Sequence, residues 1–411
     1  MKSLTTFVLF IYLLAQVPPV EASETDNVVI PQLTAVVEYL EHMLPTSSNE
    51  LTADKLRNIV TDGADWIVAA QEESGHFGYE YHPFEGTYSS DEGMVRQAGT
   101  LFALSEVYQH QTKQNPTYAK TIEKAISYFE NISGKSEKED GDFWCIKNNG
   151  KSSRCDLGSV ALALIGILNY VEAEPDKEAK YSEIIDKYST YLISAKFKDR
   201  GFSNKYNLGD GFGKEESPFY NGESMLALVK YYEYSQDEKV KVILEETFDY
   251  LSAKEEYETP LYLWIMAALK DMNRLWPHEK YVKYAKDFTA WRIDLSLMKH
   301  STNSNYCAPL EGMTSAYSIL ENNVNYELLS RLSSEINFWQ NKTTYLQLNK
   351  NSPYRLMNLD GQLQLLKQTN PNLSHGGFLS AENIPLQRID FTQHCVSSYL
   401  QKLVDINGET F

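Results

Sequence analysis

The chain has 411 residues, of which 42% are hydrophobic, and this is enough to build one large domain or two ordinary ones with a full core. Its formal net charge is −18, and no run of Lys or Arg interrupts the acidic composition. Nucleic acids and anionic membranes are bound through clustered cations that displace counterions, so the composition argues against both as partners.

The first residues carry the pattern of a cleavable signal peptide. Lys2 supplies a positive charge, residues 7–14 (FVLFIYLL) form an apolar stretch too short to span a bilayer, and Val20-Glu21-Ala22 is a small-residue cleavage site. We predict cleavage after Ala22 and a secreted or periplasmic mature chain that begins at about Ser23. A buried N-terminal helix or an uncut anchor is the alternative. No later segment is apolar enough to predict a membrane span.

Amphipathic helices recur along the remaining chain, each with a large aromatic residue near its end. Segments such as Tyr118 to Phe129 and Tyr181 to Ile193 alternate Lys or Glu with Ile and Tyr at helical spacing, which is typical of helices with one buried face. The aromatic residues are about 40 to 65 positions apart, a period that fits helix hairpins with loops. They are Trp66, Tyr128, Tyr191, Tyr250, Trp291 and Phe338.

A second class of helix lies between these aromatic residues and is apolar on every side. The segments are Leu101 to Val107, Leu157 to Tyr170 and Leu261 to Leu269. A helix that is apolar all round belongs in the middle of a large helical protein. Strand signals are few, and short pieces at 77–81 and 345–348 are expected to form small hairpins in the loops. Several loops carry Gly followed closely by Phe, where glycine permits the turn and Phe covers the edge of the core.

This alternation predicts an all-α fold in which six helix hairpins close into an (α/α)6 toroid with short β-hairpins in its loops. We divide the chain into a signal peptide at 1–22, an extension at 23–50 with one helix near Pro31 to Met43, and a single toroid domain at 51–411. The pattern resembles the alpha/alpha toroids, which include six-hairpin glycosidases, polysaccharide lyases and terpenoid-cyclase-like proteins. The resemblance covers roughly residues 50–405 and is one of architecture, which does not fix function.

The resemblance implies that the inner helices run parallel and bring their N-terminal ends to one rim of a central cavity. Each predicted inner helix begins near a carboxylate. Such residues also cap free N–H groups and favour the positive end of the helix dipole, which contributes about 0.3–1 kcal/mol without any catalytic role. The six are Asp91, Asp156, Glu223, Glu258, Glu311 and Asp390. Two have further polar groups on the next helical turn: Arg96 and Gln97 follow Asp91, and Gln393 and His394 follow Asp390.

Enzymes that cleave a glycosidic bond usually use two carboxyl groups, one protonated and one ionised. In the six-hairpin group, unsaturated glucuronyl hydrolases use two aspartates near the starts of successive inner helices, and Asp91 and Asp156 occupy comparable places here. The residues around them differ from that family's motif. The resemblance therefore implies Asp91 and Asp156 as the leading acid/base pair, with Glu223, Asp390 and His394 as alternates.

Aromatic and polar residues that precede the inner helices are the candidates for substrate binding, because sugars bind flat aromatic faces beside polar groups. Tyrosine is also an ordinary filler between helices. Arg96 is expected to orient a carboxylate or hydroxyl of the sugar. The predicted binding residues are Tyr79, His82, Tyr88, Arg96, Gln97, Trp144, Tyr220, Tyr306 and Glu311.

Four cysteines suit an oxidising compartment. Cys145 and Cys155 flank a polar, Gly-containing loop whose ends can meet, so we predict a disulfide between them. Cys307 and Cys395 form either a second bridge or two buried thiols. A zinc site built from them and the adjacent His394 lacks the usual ligand spacing.

The leading hypothesis is a secreted or periplasmic carbohydrate-active enzyme, a glycoside hydrolase, lyase or epimerase. It is predicted to act on an oligosaccharide or other small polar substrate as a monomer, without cofactor or metal. The alternative is a non-catalytic toroid that binds a glycan or a protein, because helical arrays offer concave surfaces. Terpenoid cyclisation is placed last, since the chain has no aspartate-rich motif and no basic diphosphate-binding cluster.

Overall fold

The computed structural model describes residues 25–43, 50–89, 92–136, 141–298, 306–323 and 326–411. Helices in the first half are α1 (Thr25–Met43), α2 (Ala53–Ala69), α3 (Met94–His110), α4 (Pro116–Ile132), α5 (Leu157–Ala173), α6 (Glu178–Ser194) and α7 (Pro218–Ser235). The second half contains α8 (Glu238–Ser252), α9 (Thr259–Leu275), α10 (Glu279–Met298), α11 (Cys307–Leu320), α12 (Tyr326–Thr343), the short α13 (Pro371–Ser374) and α14 (Ile389–Gln401).

Helices α3, α5, α7, α9, α11 and α14 form a closed inner ring. Each packs against the next in this order, and α14 returns to pack against α3. The amphipathic helices lie outside: α2 packs on α14, α4 on α3, α6 on α5, α8 on α7, and α10 and α12 on α11. The prediction of an (α/α)6 toroid is confirmed.

The two helix classes follow from where the apolar side chains lie. Residues 157–171 of α5 are all buried, because neighbours surround an inner helix on every side. Outer helix α4 buries a single stripe at helical spacing, made of Tyr118, Thr121, Ile122, Ala125, Ile126 and Phe129. A helix that is apolar on every side is therefore buried in the inner ring, and a helix with one apolar stripe lies on the outside.

Short strands join the loops at the ends of the helices. They are β1 (Glu80–His82), β2 (Thr87–Tyr88), β3 (Ser133–Lys135), β4 (Trp144–Ile146), β5 (Arg154–Asp156), β6 (Lys205–Asn207), β7 (Gly211–Phe212), β8 (Tyr354–Leu359), β9 (Gln362–Lys367), β10 (Leu379–Ala381) and β11 (Ile384–Arg388). The strand orders are β10-β11-β1-β2, β3-β4, β5-β6-β7 and β8-β9. Glu80 of β1 pairs with Arg388 of β11, so this sheet joins the first and last hairpins. The piece expected at 345–348 is instead a 3-10 turn, Thr344–Leu346, followed by a single bridge from Gln347 to Phe378.

Three of the Gly-Phe loops are fixed to an inner helix by the same contact. In each, a buried Phe donates its backbone N–H to a side-chain oxygen of the fourth residue of an inner helix. The pairs are Phe77 with Gln97 at 2.8 Å, Phe202 with Asn221 at 2.8 Å, and Phe378 with Thr392 at 3.0 Å. These loops therefore have a structural role, because each is fastened over the start of its inner helix.

Helix α1 packs outside the ring against the β8–β9 hairpin. Its Val36 and Tyr39 form a small second core with Tyr345 and Leu356. The predicted signal peptide at 1–22 lies outside the described residues and remains a prediction. Within the described ranges, no helix combines the length and hydropathy that a bilayer span requires.

Both cysteine pairs are joined. Cys145 is bonded to Cys155, as predicted, and Cys307 is bonded to Cys395. The second bridge resolves the alternatives for Cys307 and Cys395, because sulfurs that share a disulfide are not thiolate ligands for zinc. Disulfides form and persist in oxidising compartments, which is consistent with an extracellular or periplasmic location.

Candidate active site

A cavity of about 690 Å³ opens where the N-terminal ends of the six inner helices meet. The parallel inner helices thus share one rim, as the toroid resemblance implied. Every inner helix or the loop before it contributes a residue to the lining. The lining residues from these segments that carry a carboxyl, guanidinium or imidazole group are Glu92, Arg96, Asp156, Glu223, Asp390 and His394.

Four inner helices place their sixth residue in the wall of this cavity. Since these helices start at a common rim and run the same way, residues at equal distances from the start lie at similar depth. The four are Leu162 of α5, Glu223 of α7, Trp264 of α9 and His394 of α14. One layer of the cavity therefore combines a carboxyl, an imidazole and two apolar groups.

Glu223 is buried, with 3% of its surface exposed, and within the described part of the chain its Oε2 has no hydrogen-bond partner. The carboxyl packs against the first turn of α5, where any side chain at Gly158 would collide with Oε2. Burial raises the pKa of Glu223 to about 8. The cavity therefore contains a carboxylic acid that keeps its proton at neutral pH.

His394 and Glu311 form a hydrogen-bonded pair next to this acid-lined cavity. Nδ1 of His394 lies 2.8 Å from Oε2 of Glu311, and the two residues are on the neighbouring helices α14 and α11. Burial raises the pKa of Glu311 to about 6, and His394 opposes this rise. Because Glu311 engages Nδ1, Nε2 is the ring nitrogen left for the cavity. This is the arrangement that a general base requires.

The Cys307–Cys395 bridge lies beside this pair. Cys395 directly follows His394, and Cys307 precedes Glu311 by about one helical turn. The disulfide therefore holds α11 and α14 together at the level where the imidazole meets the carboxyl.

Asp156 and Asp390 both serve as partners of arginine. Asp156 accepts hydrogen bonds from Arg154 Nε at 2.7 Å and from the amide of Asn148 at 2.8 Å, so both of its oxygens are engaged. Asn148 lies within the loop that the Cys145–Cys155 bridge closes.

Asp390 accepts hydrogen bonds from Arg96 Nε at 2.9 Å and from Arg388 Nε at 2.6 Å. Both guanidinium groups also lie 5.7 Å from the ring of Tyr79, which supports them from one side. Asp390 therefore orients Arg96 at the rim of the cavity.

The structure brings six of the predicted site residues to the cavity lining, namely Arg96, Asp156, Tyr220, Glu223, Asp390 and His394. Asp91 lies outside the described residues. Glu311 contacts this cavity only indirectly, through its hydrogen bond to the lining residue His394. Glu311 itself lines a second cavity of about 460 Å³ on the other side of the pair.

The other predicted binding residues make contacts of their own. Gln97 bonds to both backbone groups of Phe77, so its amide is already engaged. His82 lies 3.2 Å from Glu80, and the ring of Tyr88 contacts that of Tyr81 at a tilt of 41°. The remaining two are Trp144, which lies under the ammonium of Lys135, and Tyr306, which stacks on Trp339.

The sequence analysis missed several lining residues, among them Trp264 and Arg292. Trp264 falls within the apolar run LYLWIMAAL and carries no signal besides its place at the sixth position of an inner helix. Arg292 comes from the outer helix α10 and reaches the cavity from behind the ring. No sequence pattern indicates that an outer-helix residue contributes.

Carbohydrate enzymes of known structure share this architecture. A sugar epimerase from a ruminal bacterium gives a TM-score of 0.59 at 15% identity, covering 88% of this chain and 100% of that one. A D-mannose isomerase gives 0.60 at 12% identity, covering 88% and 99%. An inactive variant of a Salegentibacter α-1,6-mannanase, with two aspartates replaced and α-1,6-mannotetrose bound, gives 0.58 at 10% identity, covering 85% and 99%.

These likenesses establish the fold, which is an (α/α)6 toroid. No protein-family model matches the chain, and no curated protein matches it in sequence. The chemistry must therefore be argued from the residues of the cavity.

Proposed function

We propose that the protein is a carbohydrate-processing enzyme, and within that class a glycoside hydrolase that works by acid–base catalysis in the toroid cavity. The observation that carries this proposal is the presence in one cavity of a protonated carboxyl, Glu223, and an imidazole polarised by a carboxylate, His394 with Glu311. The enzymes that share the fold support the substrate class, since they include a sugar epimerase, a mannose isomerase and a mannanase.

Glu223 is the general acid. Its raised pKa keeps a proton available near pH 7, and this proton passes to the oxygen of the leaving group as the glycosidic C–O bond breaks. His394 is the general base. Nε2 takes a proton from the water whose oxygen attacks the anomeric carbon, while Glu311 accepts the Nδ1–H bond and stabilises the imidazolium that forms.

This assignment replaces Asp91 and Asp156 as the leading pair. Both oxygens of Asp156 already accept hydrogen bonds, whereas Glu223 lines the cavity and its Oε2 has no partner among the described residues. Arg96, oriented by Asp390, is the group that holds a substrate hydroxyl or carboxylate at the rim.

A sugar isomerase or epimerase is the second candidate, because a histidine base is suited to removing a proton from carbon. Two assays separate the candidates. A hydrolase releases reducing sugar from glycosides, whereas an epimerase incorporates deuterium at C2 of a free aldose in D₂O, as seen by NMR. Binding without either reaction would instead establish the non-catalytic alternative.

Variants of the two proposed groups test the assignment. We expect Glu223→Gln and His394→Asn to lower kcat by about 10²–10⁴-fold, the range of general acid–base contributions. Glu258→Gln is the matched control, because Glu258 also stands at the start of an inner helix but pairs with Lys254 at 3.0 Å. Full activity in both cavity variants would show the assignment to be wrong.

We further propose that the enzyme is secreted or exported to a periplasm through cleavage after Ala22. The two disulfides support an oxidising destination. N-terminal sequencing of the released protein is expected to begin at Ser23, and a released chain that retains residues 1–22 would contradict this proposal.

A further inference from the structure

The lining of the active-site cavity changes character around the ring. Helices α14, α3, α5 and α7 are consecutive neighbours, and together with the loops that precede them they contribute the carboxyl and imidazole groups and Arg96. Helices α9 and α11 complete the ring, and their contribution is mostly apolar. It includes Pro260, Leu263, Trp264, Ala308 and Pro309.

One cation lies on this apolar side among the described lining residues. Arg292 reaches the cavity from the outer helix α10, and its side chain is buried, with 7% of the residue exposed. Its guanidinium lies 5.9 Å from the ring centre of Tyr306, so an aromatic face already covers one side of the charge. The surface that α9 and α11 offer to the cavity is therefore mostly proline, leucine, alanine and indole. Thr259 and Tyr262 are its hydroxyl-bearing residues, and the hydroxyl of Tyr262 is engaged with Thr289 at 3.1 Å.

Trp264 connects the two sides. Its ring belongs to the apolar wall, yet it lies 5.9 Å from the imidazole of His394. If one end of a ligand contacts His394 and Glu223, its other end therefore lies against the apolar wall.

We propose that the substrate is a glycoside with an apolar aglycone, an inference that rests on the proposed hydrolase function. The sugar ring occupies the charged side between Glu223 and His394, and the aglycone lies over Pro260, Leu263 and Pro309. A plain oligosaccharide offers little apolar surface to this wall, whereas an apolar group releases the water that hydrates it. The volume of about 690 Å³ falls within the range of pockets that enclose drug-sized ligands.

The test compares matched methyl and phenyl glycosides of the same sugars, in both anomers, by isothermal titration calorimetry. Glu223→Gln is used as the binding form so that turnover does not consume the ligand. We expect phenyl glycosides to bind at least about ten times more tightly than their methyl counterparts, since they add an apolar ring to the buried surface.

A charge placed on the wall is expected to remove this difference. Ala308→Asp adds a carboxylate at the second residue of α11, a helix start where negative charge is favourable, so folding should be retained. The affinity for phenyl glycosides should fall more than the affinity for methyl glycosides, so that the phenyl advantage is lost. Thr117→Asp is the matched control, because Thr117 is the exposed second residue of the outer helix α4.

The outcomes separate this inference from the proposed function. Equal affinity for methyl and phenyl glycosides in the Glu223→Gln protein would overturn the aglycone assignment and leave a sugar-binding active site intact, and this comparison does not depend on the wall variant. A phenyl advantage that survives in Ala308→Asp would also overturn it. If benzyl alcohol binds as tightly as the phenyl glycosides and methyl glycosides do not bind, the carbohydrate function itself fails. Absence of binding by every probe would overturn both.

Discussion

Replacing Glu223 by Gln should change the pH dependence of stability as well as activity. The folded protein holds the Glu223 proton with a pKa of about 8, whereas the unfolded chain releases it near 4.5. Because the folded state binds this proton more tightly, the group favours folding at low pH, and this contribution is lost as pH rises toward 8. Gln carries no such proton, so the variant lacks this pH-dependent loss.

The size of the effect follows from the two pKa values. Each tenfold difference in proton affinity is worth 1.36 kcal/mol, so the full titration corresponds to about 5 kcal/mol. Between pH 5 and pH 8, where the titration is incomplete at both ends, the wild type should lose about 3–4 kcal/mol relative to Glu223→Gln. The unpartnered amide of Gln adds a constant offset that does not vary with pH.

Urea unfolding of both proteins at pH 5 and pH 8 measures this difference. All other titrating groups are common to the two proteins, so their contributions cancel when the two pH profiles are subtracted. Parallel profiles, within about 1 kcal/mol, would show that Glu223 is ionised in the folded state at neutral pH and would remove it as the general acid.

Three further predictions concern the neighbourhood of the cavity. Activity should follow a bell-shaped pH profile, because Glu311, with a pKa of about 6, must be ionised to polarise His394, while Glu223, with a pKa of about 8, must stay protonated. Glu223→Gln should abolish the alkaline limb of the residual activity in an initial-rate titration. Replacing Cys307 and Cys395 by Ala should lower the free energy of unfolding by about 4–5 kcal/mol, because the bridge closes a loop of 88 residues. The same change should lower kcat, because the His394–Glu311 pair is held less firmly. An unchanged urea midpoint would refute the stability prediction. Gln97→Ala should lower the free energy of unfolding by about 1–3 kcal/mol, because two buried hydrogen bonds are lost, and urea denaturation measures this change. The affinity for sugars should stay unchanged in calorimetry.

The fold was accessible from the sequence because its signals are local. An all-apolar stretch such as 157–170 can be buried only if neighbours surround it, and one-sided stretches such as 118–129 can only cover it from outside. Alternation of these apolar and amphipathic helices therefore predicts a ring of helix hairpins. The 345–348 segment shows the limit of this approach, since three or four residues carry too little periodicity to distinguish a 3-10 turn from a strand.

The candidate site was accessible only in part. That the helix starts converge is a consequence of the fold, so acids at those starts could be named. The pairing of His394 with Glu311 could not be predicted from the sequence, because 83 positions separate the two residues and the contact depends on how α11 and α14 are rotated about their axes. The pKa of Glu223 depends on burial by its surroundings, including Gly158 on the adjacent helix, which no motif reports.

Helix geometry explains why neighbouring polar residues at a helix start have different roles. Successive residues of an α-helix are about 100° apart, so the fourth and sixth residues face nearly opposite directions. The fourth residue of three inner helices faces away from the cavity and binds a Gly-Phe loop, as Gln97 does. The third residue lies about 60° from the sixth, and both Arg96 and Tyr220 occupy that place in the cavity lining.

The same geometry limits how many of the six helix starts can supply an acid or base at the depth of Glu223. At the sixth place, α3 and α11 have Gly99 and Gly312, which carry no side chain, and α5 and α9 have Leu and Trp. Only α7 and α14 place a titratable group there, Glu223 and His394. A ring of six carboxylates in the sequence therefore does not make a ring of six catalytic groups. Among the described acids, Asp156 and Asp390 bind arginine, Glu258 binds lysine and Glu311 binds His394. The proposed mechanism therefore uses one acid and one base.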